Sequence, residues 1–124
     1  MKKEIRQKVY EKFGGRCAYC GFKIEYKDMQ VDHLYPQRLS NLWDYTEEER
    51  AKCEELKNDF NNLMPSCRNC NHYKRADLLE SFRRSMLTLT DRIRQIYIVK
   101  VAIKFGLLEL KNFDGKFFFE KNND

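Results

Sequence analysis

The sequence lacks any long hydrophobic run. No stretch of about 18 consecutive apolar residues occurs, so we expect no membrane-spanning helix and no membrane partner. Residues 1–15, MKKEIRQKVYEKFGG, contain no apolar segment of the kind found in secretory signal peptides. Internal repeats and low-complexity segments are also missing. These absences indicate a soluble, intracellular protein, and we expect it in the cytoplasm.

The composition allows one domain with a modest core. The chain has 124 residues, of which 42% are apolar, so a bound metal ion would add useful stability. Its net charge of +5 favours an anionic partner. We expect a single domain over residues 1–124, with a core over about 5–80 and an extension over about 88–121.

The first part of the chain predicts one helix and two short strands. Apolar residues recur every four positions over residues 2–13, and Gly14 and Gly15 follow, which is typical of an amphipathic helix ended by glycine. Residues 21–34 are rich in β-branched and aromatic side chains and predict two strands around a turn near 27–28. His33 would lie near a strand end.

Helices dominate the middle of the chain. The strongly acidic span 44–59 predicts a surface helix in which Thr46 and Glu49 form a capping box. Apolar periodicity predicts further helices over residues 68–86 and about 90–105.

The tail LLELKNFDGKFFFE, residues 107–120, predicts a β-hairpin with its turn at Asp114 and Gly115. Three consecutive phenylalanines, 117–119, cannot all face one side of a strand. They pack inside the domain or form a surface for a protein partner or a second copy of the chain, and the first arrangement is favoured slightly.

Two cysteine pairs are the strongest single indication of a metal site in the sequence. Cys17 and Cys20, and Cys67 and Cys70, each have the CxxC spacing that places two thiolates at neighbouring corners of a tetrahedral zinc site. Four thiolates leave no open position, so the predicted zinc is structural. The fifth cysteine, Cys53, has no paired neighbour and is predicted to be a buried or idle thiol.

The residues around these pairs resemble a known family. CAYCG, then VDHL, then NNLMPSCRNCNHYK are similar to the motifs of the zinc-stapled HNH endonucleases of the ββα-metal type, over residues about 5–75. The resemblance implies an α+β fold with a ββα-metal core, to which this chain adds an N-terminal helix, an acidic helical insert, and a C-terminal helix with a β-hairpin. It also implies a bacterial cell or a phage-infected host cell as the setting.

The same resemblance implies the site. His33 would be the general base, Asp32 and Asn71 would hold a catalytic Mg²⁺ or Mn²⁺, and Asn62 would orient the loop that carries the histidine. The substrate would be DNA, most often double-stranded. Three cations near the second cysteine pair would bind its phosphates: Arg68, Lys74 and Arg75.

Two features of the predicted site differ from a regular strand or from the residues common in the family. Consecutive residues of a regular strand point to opposite faces, so Asp32 and His33 can serve one site only if the strand ends or bulges there, and we expect such an irregularity. Many relatives carry histidine at the position of Asn71, and His72 lies one residue away. We favour Asn71.

Two other functions remain open from the residues alone. A zinc-stabilised protein that binds nucleic acid without cutting it would share the basic charge and the helix over 68–86. An interaction module would use the acidic helix and the phenylalanine-rich tail to bind another protein. The enzyme is favoured because a pure binder has no need of Asp32 and His33 together.

Overall fold

The computed structural model describes residues 1–37 and 45–121, which form two compact units. The first unit contains residues 1–79 and the segment from Phe117, and the second contains Glu80–Lys116. The fold is α+β, as predicted. Its helices and strands, in chain order, are α1 Lys3–Glu11, β1 Gln30–His33, α2 Glu47–Leu56, β2 Leu63–Ser66, α3 Arg68–Lys74, α4 Leu79–Leu87, α5 Leu89–Arg94, α6 Tyr97–Lys104 and α7 Phe118–Lys121.

Helix α1 confirms the predicted N-terminal helix and supplies one wall of the core. Its buried residue Val9 packs with Met29 and Leu63, and the partly buried Val31 lies against the same cluster. After the helix, Gly14 and the next glycine adopt positive φ angles, which turn the chain towards the first cysteine pair.

The sheet differs from the prediction in its partner strand. Residues Tyr26–Asp28 form a 3₁₀ turn, and β1 pairs antiparallel with β2, so that Gln30 lies opposite Ser66 and His33 opposite Leu63. The predicted local hairpin over 21–34 is therefore wrong. Val31 faces the core while Gln30 and Asp32, which alternate with it, contact α3. The paired residues of β2 lie thirty or more positions further along the chain, beyond the reach of a local pattern.

Helix α2 confirms the predicted acidic helix. The Thr46 side chain accepts from the amide of Glu49, whose carboxylate accepts from the Thr46 amide, so both halves of the capping box form. Asp44, the first residue of the predicted span, lies outside the described residues. Cys53 is buried in this helix, as expected for an idle thiol.

The predicted helix over 68–86 is two helices. Helix α3 ends at Lys74, and the following Arg75 has φ 57° and ψ −138°, a conformation that breaks the helix. Helix α4 starts at Leu79. The predicted helix over about 90–105 is likewise divided into α5 and α6.

The predicted C-terminal hairpin is wrong. No strand occurs among residues 107–116 of the described chain, and the phenylalanines lead into the short helix α7. The amides of Phe118 and Phe119 donate to the carbonyls of Tyr19 and Ala18, at 3.0 and 2.8 Å. The tail thus pairs with the first CxxC turn instead of with itself, and packing within the chain is confirmed for these phenylalanines.

None of the helices in the described part of the chain is long and apolar enough to cross a bilayer.

Candidate functional site

The two cysteine pairs come together, as predicted. The sulfurs of Cys17, Cys20, Cys67 and Cys70 all lie within 4.8 Å of one another, and those of Cys20 and Cys67 are 3.9 Å apart. A tetrahedron of sulfurs about 2.3 Å from a central zinc has edges of about 3.8 Å. The four-cysteine cluster therefore has the donor atoms and the approximate dimensions of a tetrahedral metal site.

The ionisation of these thiols also favours the binding of a cation at the cluster. A hydrogen bond from Cys70 lowers the pKa of Cys17 to about 4, and the same contact, together with burial, raises the pKa of Cys70. Burial raises the pKa of Cys20 to about 11. One thiolate thus opposes the formation of the next, and a divalent ion at the centre would remove that opposition.

Local geometry explains why the sequence folds into this cluster. The Gly21 amide donates to the Cys17 carbonyl at 3.0 Å, with Gly21 at φ 81°, and the Ala18 amide donates to the carbonyl of Pro65 on β2 at 2.8 Å. Cys67 is the N-cap of α3, and its sulfur accepts from the Cys70 amide at 3.4 Å. The first turn is thereby attached to the strand that leads into the second pair.

Asp32 lies at the centre of a buried polar network. Its side chain is 6% exposed, and its Oδ2 is 3.0 Å from the ammonium of Lys74 and accepts a hydrogen bond from the Tyr19 hydroxyl. Lys74 also donates to the main-chain oxygen of His33 at 3.1 Å. Burial and the Asp32 carboxylate raise the pKa of Tyr19, so the hydroxyl keeps its proton and remains a donor.

The position of Lys74 corrects one expectation. The sequence predicts that Lys74 binds nucleic acid, but its side chain is 0% exposed and its ammonium is paired with Asp32. A cation enclosed in this way has no surface to offer a phosphate. The charge of Lys74 instead offsets the cost of burying the Asp32 carboxylate.

His33 and Asp32 share one cleft of about 240 Å³ with Pro36, Gln37, Arg75 and Ala76. Strand β1 ends at His33, as expected, so the two consecutive side chains can border the same space. Burial lowers the pKa of His33; the neighbouring Asp32 carboxylate opposes this shift, while the Lys74 ammonium adds to it. The imidazole is therefore neutral at pH 7 and has a nitrogen that can accept a proton.

Asn62 holds the loop that follows His33. Its side-chain oxygen accepts from the Tyr35 amide at 2.7 Å, and its side-chain nitrogen donates to the Tyr35 carbonyl at 3.0 Å. Its own carbonyl accepts from the Leu34 amide at 2.9 Å. The segment around Asn62 is in turn fixed by Lys12, the residue after α1, which donates to the carbonyls of Phe60 and Leu63.

Asn71 is half-buried, and its side chain contacts β1. Its side-chain nitrogen donates to Gln30 Oε1 at 2.5 Å, and its side-chain oxygen is not used in that bond. Asn71 is not among the described residues that line the cleft of His33. Its neighbour His72 is exposed on the helix surface. The structure therefore connects Asn71, and not His72, with the strand that carries Asp32.

The two remaining predicted cations are exposed in different places. Arg68 lies in the first turn of α3, between the second pair of cysteines. Arg75 lines the cleft and is the only non-glycine residue with positive φ in the described part of the chain. Such strain often accompanies a functional position.

Three residues of this site were missed in the sequence. Tyr19 lies between the first two cysteines, Gln30 lies two positions before Asp32, and Lys12 lies at the end of α1. The period-2 alternation of β1 could have placed Gln30 beside Asp32. Nothing local predicts the partners of Tyr19 and Lys12, because these depend on segments far away in the chain.

Comparison with known proteins agrees with this geometry. Residues 17–77 match the family model of the HNH endonucleases, a range that contains both cysteine pairs and all of the predicted catalytic residues. No curated protein and no solved structure matches the chain. Residues 17–77 of this chain therefore belong to the HNH endonuclease family.

Proposed function

We propose that this protein is a metal-dependent endonuclease that hydrolyses phosphodiester bonds of DNA, with a structural zinc in the four-cysteine cluster. The observation that carries the proposal is the cleft in which a neutral imidazole and a buried carboxylate lie side by side. Membership of residues 17–77 in a family of nucleases supports the same reaction.

His33 acts as the general base in this proposal. A nitrogen of the neutral imidazole accepts a proton from a water molecule, whose oxygen attacks the phosphorus. The bond from phosphorus to the 3′ oxygen breaks, and that oxygen takes a proton from solvent. Asn62 keeps the imidazole in place through its three hydrogen bonds with the main chain of residues 34 and 35.

Asp32 and Asn71 are the proposed ligands of a divalent ion, Mg²⁺ or Mn²⁺. Their oxygens are the donors that such hard cations prefer. Oδ2 of Asp32 is occupied by Tyr19 and Lys74, which leaves Oδ1 for the ion. When bound, the ion supplies positive charge that stabilises the transition state and the leaving oxygen.

Arg75 is the proposed contact to the DNA backbone within the cleft. Its exposed guanidinium lines the same space as His33, so it can bind a phosphate next to the scissile one. Arg68 would bind a phosphate farther along the duplex. Lys74 takes no part in these contacts.

Cleavage of supercoiled plasmid by the zinc-loaded protein tests the proposal. With Mg²⁺ or Mn²⁺ present, we expect nicked or linear product from the wild type and a loss of at least about 100-fold in His33→Ala, the lower range for a general base. The zinc content of His33→Ala should equal that of the wild type, because His33 is not a ligand of the cluster.

The matched control is His72→Ala, since these are the only two histidines in the chain. We expect it to cut at close to the wild-type rate. Equal activity of His33→Ala and wild type would disprove the proposal. Salt-sensitive DNA binding without strand breaks under any metal ion would support the zinc-stabilised binding protein instead.

A further inference from the structure

We propose that Tyr19 is a positioning residue for the catalytic ion: its hydroxyl fixes the Asp32 carboxylate, and thereby connects the four-cysteine cluster with the cleft. This inference rests on the proposed function, because it takes Asp32 to be an ion ligand. It assigns a role to a residue that lies inside the first CxxC turn and touches no substrate.

The geometry at Asp32 shows what the hydroxyl does. Two donors, the Tyr19 hydroxyl and the Lys74 ammonium, meet on the single oxygen Oδ2. Two bonds on one oxygen fix the rotation of the carboxylate, so Oδ1 keeps one direction. Groups that orient a metal ligand in this way typically change metal affinity or activity by about 10- to 100-fold when they are removed.

Tyr19 is itself held on both sides. Its backbone belongs to the turn between Cys17 and Cys20, and its carbonyl accepts from the Phe118 amide. Its ring packs edge-on against Phe117 and Phe119, with centroids 5.6 and 6.2 Å away. The ring can therefore keep its place when the hydroxyl is removed, which makes Tyr19→Phe a clean test.

The experiment measures Mn²⁺ binding to zinc-loaded protein by electron paramagnetic resonance of the free ion, beside plasmid cleavage at a series of Mn²⁺ concentrations. For Tyr19→Phe we expect the dissociation constant of Mn²⁺ and its half-saturating concentration to rise by about 10-fold or more. The cleavage rate at saturating Mn²⁺ should stay within about threefold of wild type, while the zinc content stays unchanged.

Tyr10→Phe is the matched control. It removes a tyrosine hydroxyl that donates to the Ile24 carbonyl at 2.8 Å, outside the cleft. We expect normal Mn²⁺ binding in this variant. A merely structural role for Tyr19 would lower the unfolding temperature of both variants but would not separate their affinities for Mn²⁺.

Each other outcome has a defined meaning. Wild-type affinity in Tyr19→Phe, an equal loss in both variants, or loss of zinc from Tyr19→Phe would overturn the positioning role while leaving the nuclease intact. A wild type that neither binds Mn²⁺ nor cuts DNA would overturn the proposed function, and the positioning role with it.

Discussion

At the scale of single residues, Arg75 combines a strained backbone with a place in the lining of the cleft. Its φ of 57° and ψ of −138° lie in a region that only glycine enters easily, and it lines the cleft with His33. The position therefore carries backbone strain of about 1–3 kcal/mol. The same residue places a guanidinium at the mouth of the cleft.

Replacing Arg75 separates these two effects. Arg75→Gly should raise the free energy of unfolding by about 1 kcal/mol, because glycine relieves the strain. Arg75→Ala should not, although both variants lose the guanidinium and should bind DNA with a salt dependence reduced by about one phosphate contact. Urea denaturation and binding titrations at several salt concentrations measure the two quantities. Equal stability of the two variants would contradict the assignment of strain.

Gly21 is a second position at which one residue decides the local structure. It has φ 81°, and a Cβ there would lie 2.7 Å from the ring of Phe118. Gly21→Ala should therefore cost the left-handed backbone penalty, about 1–2 kcal/mol, and in addition displace the phenylalanine.

Gly14→Ala is the control for this change. Gly14 has φ 63°, and a Cβ added there would have no neighbouring atom within 4 Å, so alanine should cost the backbone penalty alone. Thermal unfolding of zinc-saturated protein compares the two. A smaller loss for Gly21→Ala than for Gly14→Ala would show that Phe118 does not pack on this turn.

At the scale of the elements, the contact between β1 and α3 depends on one buried ion pair. Lys74→Met should leave the Asp32 carboxylate buried without its cation and lower the free energy of unfolding by about 3–5 kcal/mol. In contrast, Lys57→Met removes a pair with Glu54 in which the side chains are 40% and 78% exposed, and should change stability by less than about 1 kcal/mol.

Chemical denaturation of both variants distinguishes the two roles considered for Lys74. If Lys74 were a surface cation that binds phosphate, Lys74→Met would bind DNA more weakly with little change in its free energy of unfolding. A free energy of unfolding for Lys74→Met close to that of Lys57→Met would contradict the buried ion pair and support phosphate binding by Lys74.

The sequence predicts elements well where the signal is local. The capping box at Thr46 and the glycine-ended helix α1 depend on residues a few positions apart, and both are confirmed. The meeting of the two CxxC pairs is not local, but it is confirmed because four-coordinate zinc chemistry requires both pairs at one site. The predicted hairpins fail because their strands find distant partners: β1 pairs with β2, and the phenylalanines pair with the turn at Tyr19.

The site follows the same rule. Motif spacing suffices to place Asp32 and His33 at the end of one strand, but the role of Lys74 depends on burial, which no local pattern reports. The end of the helix at Arg75 could not be predicted from the sequence either, because the apolar periodicity continues beyond it. Asp32 and its two donors come from three segments, and only the fold brings them together.

At the scale of the whole molecule, the four-cysteine cluster holds together segments that are far apart in the chain. The cluster joins the segment 17–22 to the segment 63–74. Residues 117–121 contact the first of these two segments. Removing the proposed zinc should therefore loosen all three segments together.

Hydrogen exchange measured by mass spectrometry, before and after treatment with a strong zinc chelator, tests this coupling. We expect amides in all three segments to lose protection at once, because the binding free energy of a structural zinc is part of the folding free energy. Restoring zinc should restore protection. Unchanged exchange in residues 117–121 would show that the tail docks independently of the metal.

The return of the tail to the first CxxC turn has a consequence for the timing of synthesis. Since Phe117 and Phe119 pack around Tyr19, the support of the cleft stays incomplete until residues 117–121 have been made. A nascent chain that already carries every residue of the HNH motif would still lack this support. The order of translation thus delays the completed support of the cleft until residues 117–121 have been synthesised and have docked on the turn that carries Tyr19.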